Sequence, residues 1–169
     1  MSQDDRYREA AETYGPALHR LARAYEADPE TRRNLIQDIH FQLWRSFAQF
    51  DGRCSLRTWV YRVAHNVATS HVVRQNRIRQ GLTSLEEIEN LPSSEAAQAD
   101  AGQALDRLDG LILRLKPLDR QIIVSYLEGM DAQSTAEITG LSAANVAMKV
   151  HRIKNLLRRW FHEGASHAG

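Results

Sequence analysis

Apolar residues recur along this chain at three- and four-residue intervals, the spacing that gathers them on one face of an α-helix. Tyr14, Leu18, Leu21 and Tyr25 follow it and predict a first helix from Asp5 to Tyr25, which Gly15-Pro16 should bend or restart. After the break at "ADPE", Asp28 can cap, Pro29 suits the first helical position and Glu30 complements the positive end of the helix dipole. This second helix should run to about Phe47 and bury Leu35, Ile36, Ile39, Leu43 and Phe47. "QFDGRCS" then supplies a loop, and Leu56, Val60, Val63 and Val67 mark the buried side of a third helix.

From residue 80 to 103 the pattern weakens and the chain turns acidic and small-sided, the composition of a linker. Helical spacing returns from Leu105 to Leu115, then in a helix opened by Pro117 and closed by Gly129, then from Ala132 to Thr139. Gly140 follows, and Ser142 can cap a long last helix. With no strand-like alternation and no internal repeat, the expectation is an all-α chain of two small helical domains on a flexible tether. The domains span residues 1–79 and 104–163, with 80–103 as linker and 164–169 as a disordered tail.

Composition agrees with a folded chain: 43% of the 169 residues are hydrophobic and 25% charged. Net charge is only +1, but the charges are sorted. The stretch from Ser55 to Arg79 carries Arg57, Arg62, Arg74, Arg77 and Arg79 and no acid. Cys54 is the one cysteine, so neither an internal disulfide nor a cysteine metal cage can form. The beginning of the chain lacks the charged and apolar segments of a secretion signal, and no run approaches the roughly 18 apolar residues of a membrane span. A cytoplasmic protein is expected. His65 and His71 fall on different faces of one helix and no His-Glu signature accompanies them, so neither metal nor cofactor is expected. There is no phosphate-binding glycine loop and no nucleophile elbow, which disfavours an enzyme with a small-molecule substrate.

"DAQSTAEITGLSAANVAMKVHRIKNLLRRW" has the layout of a helix-turn-helix. On its second helix Val146, Val150, Ile153, Leu157 and Trp160 share one side, and Lys149 to Arg159 contains five basic residues and no acid. Such a helix can pack on its domain with one face and approach phosphates with the other. A helical hairpin with a solvated basic face fits the same pattern. Likewise Trp59, at helical spacing, reads mostly as core.

"NLIQDIHFQLWRSFAQFDGRCSLRTWVYRVAHNVATSHVVRQNR", followed after the linker by "LKPLDRQIIVSYLEGMDAQSTAEITGLSAANVAMKVHRIKNLLRR", resembles the bacterial extracytoplasmic-function sigma factors over nearly the whole chain. The resemblance implies that the first block is region two, which docks on the RNA polymerase clamp and opens the proximal promoter element. The second is implied to be region four, which reads the distal element. It makes Asn34, Gln37, Asp38 and Gln42 core-polymerase contacts. It places Phe50, Asp51, Gly52, Arg53, Cys54 and Ser55 around a base extruded from the non-template strand, whose lost stacking must be repaid by the pocket. On the following helix it counts Tyr61 among the promoter-binding positions and assigns Asn66 to a base and Arg57, Arg62, Arg74 and Arg77 to phosphates; family members often have arginine where His65 stands. In region four it turns Ala147, Met148, His151 and Arg152 to the groove and Asn145, Lys149, Lys154 and Arg158 to the backbone. An anti-sigma factor is the further partner it implies, beside core RNA polymerase, duplex promoter DNA and the melted non-template strand. A stand-alone helix-turn-helix regulator with an N-terminal dimerisation or sensor domain is the alternative left open by the residues themselves, and a helical adaptor is a more distant one.

Overall fold

The computed structural model describes residues 1–83 and 101–166, in which seven α-helices and no strand occur. The first, α1 (Gln3–Tyr25), opens on a reciprocal cap: Ser2 Oγ accepts from Asp5 N–H, and the Asp5 carboxylate accepts from Ser2 N–H, each at 3.1 Å. Contrary to the expected bend or restart at Gly15-Pro16, α1 continues through Pro16. An interior proline costs about 3 kcal/mol. Leu18 and Leu21 are completely buried just beyond it, and full burial of two leucines offsets that cost at about 1.5–3 kcal/mol each. Tertiary packing outweighs the local penalty.

Helix α2 (Pro29–Ser46) starts where the sequence places it, with Asp28 Oδ2 accepting from Thr31 N–H at 2.9 Å. Helix α3 (Leu56–Thr83) follows the 47–55 loop, in which Gly52 takes the left-handed conformation at φ 78°. Together α1, α2 and α3 enclose Leu18, Leu21, Leu35, Ile39, Leu43, Phe47 and Val60. The second group is α4 (Ala101–Ile112), α5 (Pro117–Leu127), α6 (Ala132–Thr139) and α7 (Ala143–Ser166). Helix α7 packs on the other three through Val146, Ile153 and Leu157. Gly140 closes α6 at φ 81°, and its N–H donates to Ala136 carbonyl, the left-handed cap that starts the turn into α7.

Helix α3 reaches Thr83 and α4 begins at Ala101. The rest of the expected tether, 84–100, and the last three residues of the expected tail, 167–169, lie outside the described residues.

The two groups pack against each other: α3 meets α5 and α6, and α1 meets α4 and α5. This changes the buried side of α3. Val60 is buried as expected, whereas Val63 and Val67 are only partly so, and Tyr61, Ala64, His65, Ala68, His71 and Val72 are enclosed instead. The cause is that α3 is covered from two directions, by its own domain and by the second one. Its enclosed polar groups are matched: Tyr25 Oη lies 2.8 Å from His65 Nδ1, Glu26 pairs with His71 at 3.1 Å, and Gln121 donates to Thr69 Oγ1 at 2.9 Å. No buried side-chain nitrogen or oxygen among the described residues lacks a partner, as a stable polar interface requires.

Candidate nucleic-acid and partner interfaces

On α2, the inward spacing of Leu35, Ile39 and Leu43 turns Asn34, Gln37, Asp38, Phe41, Gln42 and Arg45 to solvent. All four residues assigned to the polymerase therefore share one exposed face. Phe41, not singled out in the sequence, and Trp44, which matches the family's clamp-binding helix, extend it; Phe41 is 55% exposed and Trp44 is held at its edge by donating Nε1–H to Asp4 at 2.8 Å. Large apolar side chains left at a surface commonly mark a contact site.

A groove of about 510 Å³ separates α2 from α3 and is lined by Asp38, Gln42, Ser46, Val63, Asn66, Val67, Ser70 and Arg74. It joins two of the polymerase candidates to two of the promoter candidates. Ser46 and Ser70 belong to it without any sequence signal, since serine on a helix usually means only a wet face.

The 50–55 loop divides into inward and outward residues. Phe50 packs edge-on against Phe47 and at a tilt against Trp59, with ring centroids 6.0 and 5.1 Å away, and Arg6 lies over its ring. Trp59 donates to Ser46 Oγ at 2.9 Å, in keeping with the reading of it as packed. Asp51, Gly52, Arg53 and Ser55 are exposed and Cys54 is half-buried. Arg53 is tied to Asp51 by an ion pair at 3.0 Å, with 90% of its own side chain exposed, so water screens the pair and little energy holds it. Ser55 Oγ accepts from Thr58 N–H at 3.1 Å and thereby caps α3.

Along α3, Asn66, Arg74 and Arg77 are exposed. Three other candidates face the second domain: Tyr61 is 2% exposed and donates to Glu128 at 3.3 Å, Arg57 donates to the Glu128 carbonyl, and Arg62 donates to the Glu137 carbonyl at 3.1 Å. His65 is wholly enclosed among Tyr25, Tyr61 and Ser125, and burial pulls its pKa down to about 3, so the ring is neutral. An arginine could not be deprotonated to suit such a place.

In the second domain Asn145, Ala147, Met148, His151, Arg152 and Arg158 are exposed on one side of α7. Lys149 and Lys154 sit at its margin, near Asp119 at 4.0 Å and Tyr126 Oη at 3.2 Å respectively. The α6–turn–α7 unit thus presents a positively charged helix whose first turns carry the small Ala143, Ala144 and Ala147, which lets the helix approach a major groove closely.

Residues 10–78 match the family described as Sigma-70 region 2, and residues 105–157 match Sigma-70, region 4. The chain is 24% identical over 157 residues to ECF RNA polymerase sigma factor SigX of Bacillus subtilis, covering 88% of this chain and 79% of that one. To RNA polymerase sigma factor YlaC of the same organism it is 26% identical over 137 residues, 77% of each. Among solved structures, sigma factor RpoE in complex with the anti-sigma factor NepR from Bartonella quintana matches with a TM-score of 0.72 at 18% identity, over 92% of this chain and 96% of that one. CnrH in complex with the cytosolic domain of CnrY matches with a TM-score of 0.65 at 19% identity, over 93% and 88%. The N-terminal helices are therefore a region-two module rather than a dimerisation or sensor domain, and no helix among the described residues is long and apolar enough to cross a membrane. The chain belongs to the extracytoplasmic-function sigma factors, the transcription initiation factors that bind core RNA polymerase and direct it to promoters.

Proposed function

We propose a division of this activity among specific surfaces. The exposed face of α2, centred on Gln37 and Asp38 with Asn34 and Gln42 beside them, binds the polymerase core. The Asp51 to Ser55 loop and Asn66 hold a base that has left the non-template stack, while Arg57, Arg62, Arg74 and Arg77 follow the phosphates. Arg152, with Met148 and His151, reads the distal element from the major groove.

The observation that carries this reading is the α2–α3 groove, which brings Asp38 and Gln42 alongside Asn66 and Arg74. A factor that must hand a strand to the enzyme it is bound to needs these two functions side by side. The cationic, acid-free sides of α3 and α7 supply the backbone attraction, which is electrostatic and insensitive to sequence.

We further propose that the protein works in the cytoplasm with the polymerase and catalyses no reaction of its own. An anti-sigma factor is its proposed regulator; the likeness to two sigma factors solved with such partners supports this through the shared fold. In vitro transcription with purified core enzyme and genomic promoter fragments tests the whole assignment. Promoter-specific starts that depend on the protein, lost in Asn66→Ala and Arg152→Ala, are expected; starts unaffected by both changes would refute it.

A further inference from the structure

The exposed face of α2 ends at Trp44, and the first turns of α1 hold that residue from the side. Tyr7 Oη lies 3.0 Å from His40 Nδ1, and Asp4 Oδ1 accepts from Trp44 Nε1–H at 2.8 Å. Tyr7 follows Asp4 by one turn whereas His40 precedes Trp44 by one, so the two helices run antiparallel here and meet at two successive turns. The Gln3 side-chain amide also donates to the Trp44 carbonyl at 2.7 Å, in the last turn of α2, where the helical ladder runs out of donors. Gln3 thus anchors the backbone and Asp4 the ring. The ring needs an anchor: it is 39% exposed and borders a hollow of about 510 Å³ lined by Asp4, Tyr7, Arg8, Ala11 and Glu12. A side chain with open space beside it keeps more than one staggered rotamer, and a directed hydrogen bond selects among them.

We infer that Asp4 is a positioning residue for core-polymerase binding: its carboxylate keeps the Trp44 indole in the docking face, next to Phe41, instead of letting it fold into the hollow. This rests on the proposed role of the α2 face. Phe41 and Trp44 are three residues apart and so neighbours on that face, and both are exposed. Gln3 and Asp4 precede residues 10–78, the stretch that matches region 2, so the ring is held by a part of the chain that the match does not reach. A partner that accepts one ring orientation binds with an apparent affinity reduced by the fraction of molecules that present it. Fixing the ring in advance removes that loss, and Asp4 acts through Trp44 rather than by a contact of its own.

The test uses the full chain carrying fluorotryptophan, with the Trp44 fluorine resonance identified as the one lost in Trp44→Phe. Asp4→Ala changes an exposed side chain and should leave the urea midpoint nearly unchanged. It is expected to shift the Trp44 resonance and to weaken affinity for purified core enzyme, measured by titrating core into fluorophore-labelled protein, about three- to tenfold. Asp4→Asn keeps a side-chain carbonyl that can accept the indole N–H and should restore both. In a Trp44→Ala background, where there is no ring to hold, Asp4→Ala should cost nothing further. The inference is overturned by an unmoved resonance, by no recovery in Asp4→Asn, by a loss that persists without the ring, or by normal binding of Asp4→Ala beside weakened binding of Trp44→Ala. If Trp44→Ala itself binds core normally, Gln37→Ala separates the two readings. Weakened binding there refutes the role of Asp4 alone, and unchanged binding refutes the α2 face as the docking surface.

Discussion

The Tyr25 hydroxyl and His65 Nδ1 lie 2.8 Å apart in the boundary between the two modules, each side chain almost entirely enclosed. Ser125 Oγ donates to the Gln121 carbonyl at 2.7 Å and so has a lone pair left for the other ring nitrogen, His65 Nε2, at 3.4 Å. The consistent assignment is a neutral ring that accepts from Tyr25 and donates to Ser125, the form its lowered pKa also requires.

Acid should therefore loosen this boundary. A histidine held near pKa 3 when folded and near the ordinary 6.5 when unfolded binds more protons unfolded, so stability is intact above about pH 6.5 and falls by up to about 1.4 kcal/mol per pH unit below it. Between pH 6.5 and 5 the loss amounts to about 2 kcal/mol. The Glu26–His71 pair, 3.1 Å apart, faces the same boundary and is common to both proteins if His65→Gln is compared with the parent. Urea denaturation across that pH range should show a shallower acid slope for His65→Gln; equal slopes would contradict the neutral-ring assignment.

Opening of the promoter and binding of the core should separate genetically. Asn66→Ala and Arg53→Ala alter exposed residues outside the α2 face, so open-complex formation, followed by permanganate footprinting, should drop while affinity for core enzyme stays nearly unchanged. Equal loss of both activities would count against the division of surfaces.

The converse is expected on α2. Gln37→Ala and Asp38→Ala change exposed side chains, where stability effects usually stay within about 0.5 kcal/mol. Affinity for core enzyme, measured by fluorescence titration, should weaken with no change in the melting temperature of the free protein.

For Arg152→Ala the expected cost is about 1–3 kcal/mol of discrimination at one position of the distal element, the value of a bidentate base contact. Competition between promoter fragments differing at single base pairs would reveal it, and an unchanged order of preference would remove Arg152 from the reading surface.

Leu35 gauges the core of the first module. It is 0% exposed, and Leu35→Ala should destabilise the fold by about 2–5 kcal/mol through lost burial and the cavity left behind, seen as a lower midpoint in urea.

Much of the secondary structure was legible in the chain. The Asp28-Pro29 start of α2, the Gly140 turn and the stripe of Val146, Ile153 and Leu157 all depend on residues a few positions apart, whose interactions are set by helical geometry alone. Continuity through Pro16 was not, because the burial that offsets its cost comes from distant helices. Of the site, the outward face of α2 and the basic side of α7 could be read from the same periodicity. The role of Ser46 and Ser70 in the groove could not, nor could that of Glu128, whose partners Arg20 and Tyr61 lie 108 and 67 positions away.

Local spacing, capping chemistry and charge sorting thus determined that the chain is helical, where several of its helices start, and which residue types suit DNA, while the polymerase contacts were named by the family resemblance alone. The tertiary structure decided that region four rests on α3, so that Tyr61, His65 and His71 of this basic helix are enclosed in a polar boundary. The physical reason is that burial is not a property of a residue's neighbours in sequence: it depends on which second surface arrives, and the contacts that bring it here join residues too far apart in the chain for periodicity to record.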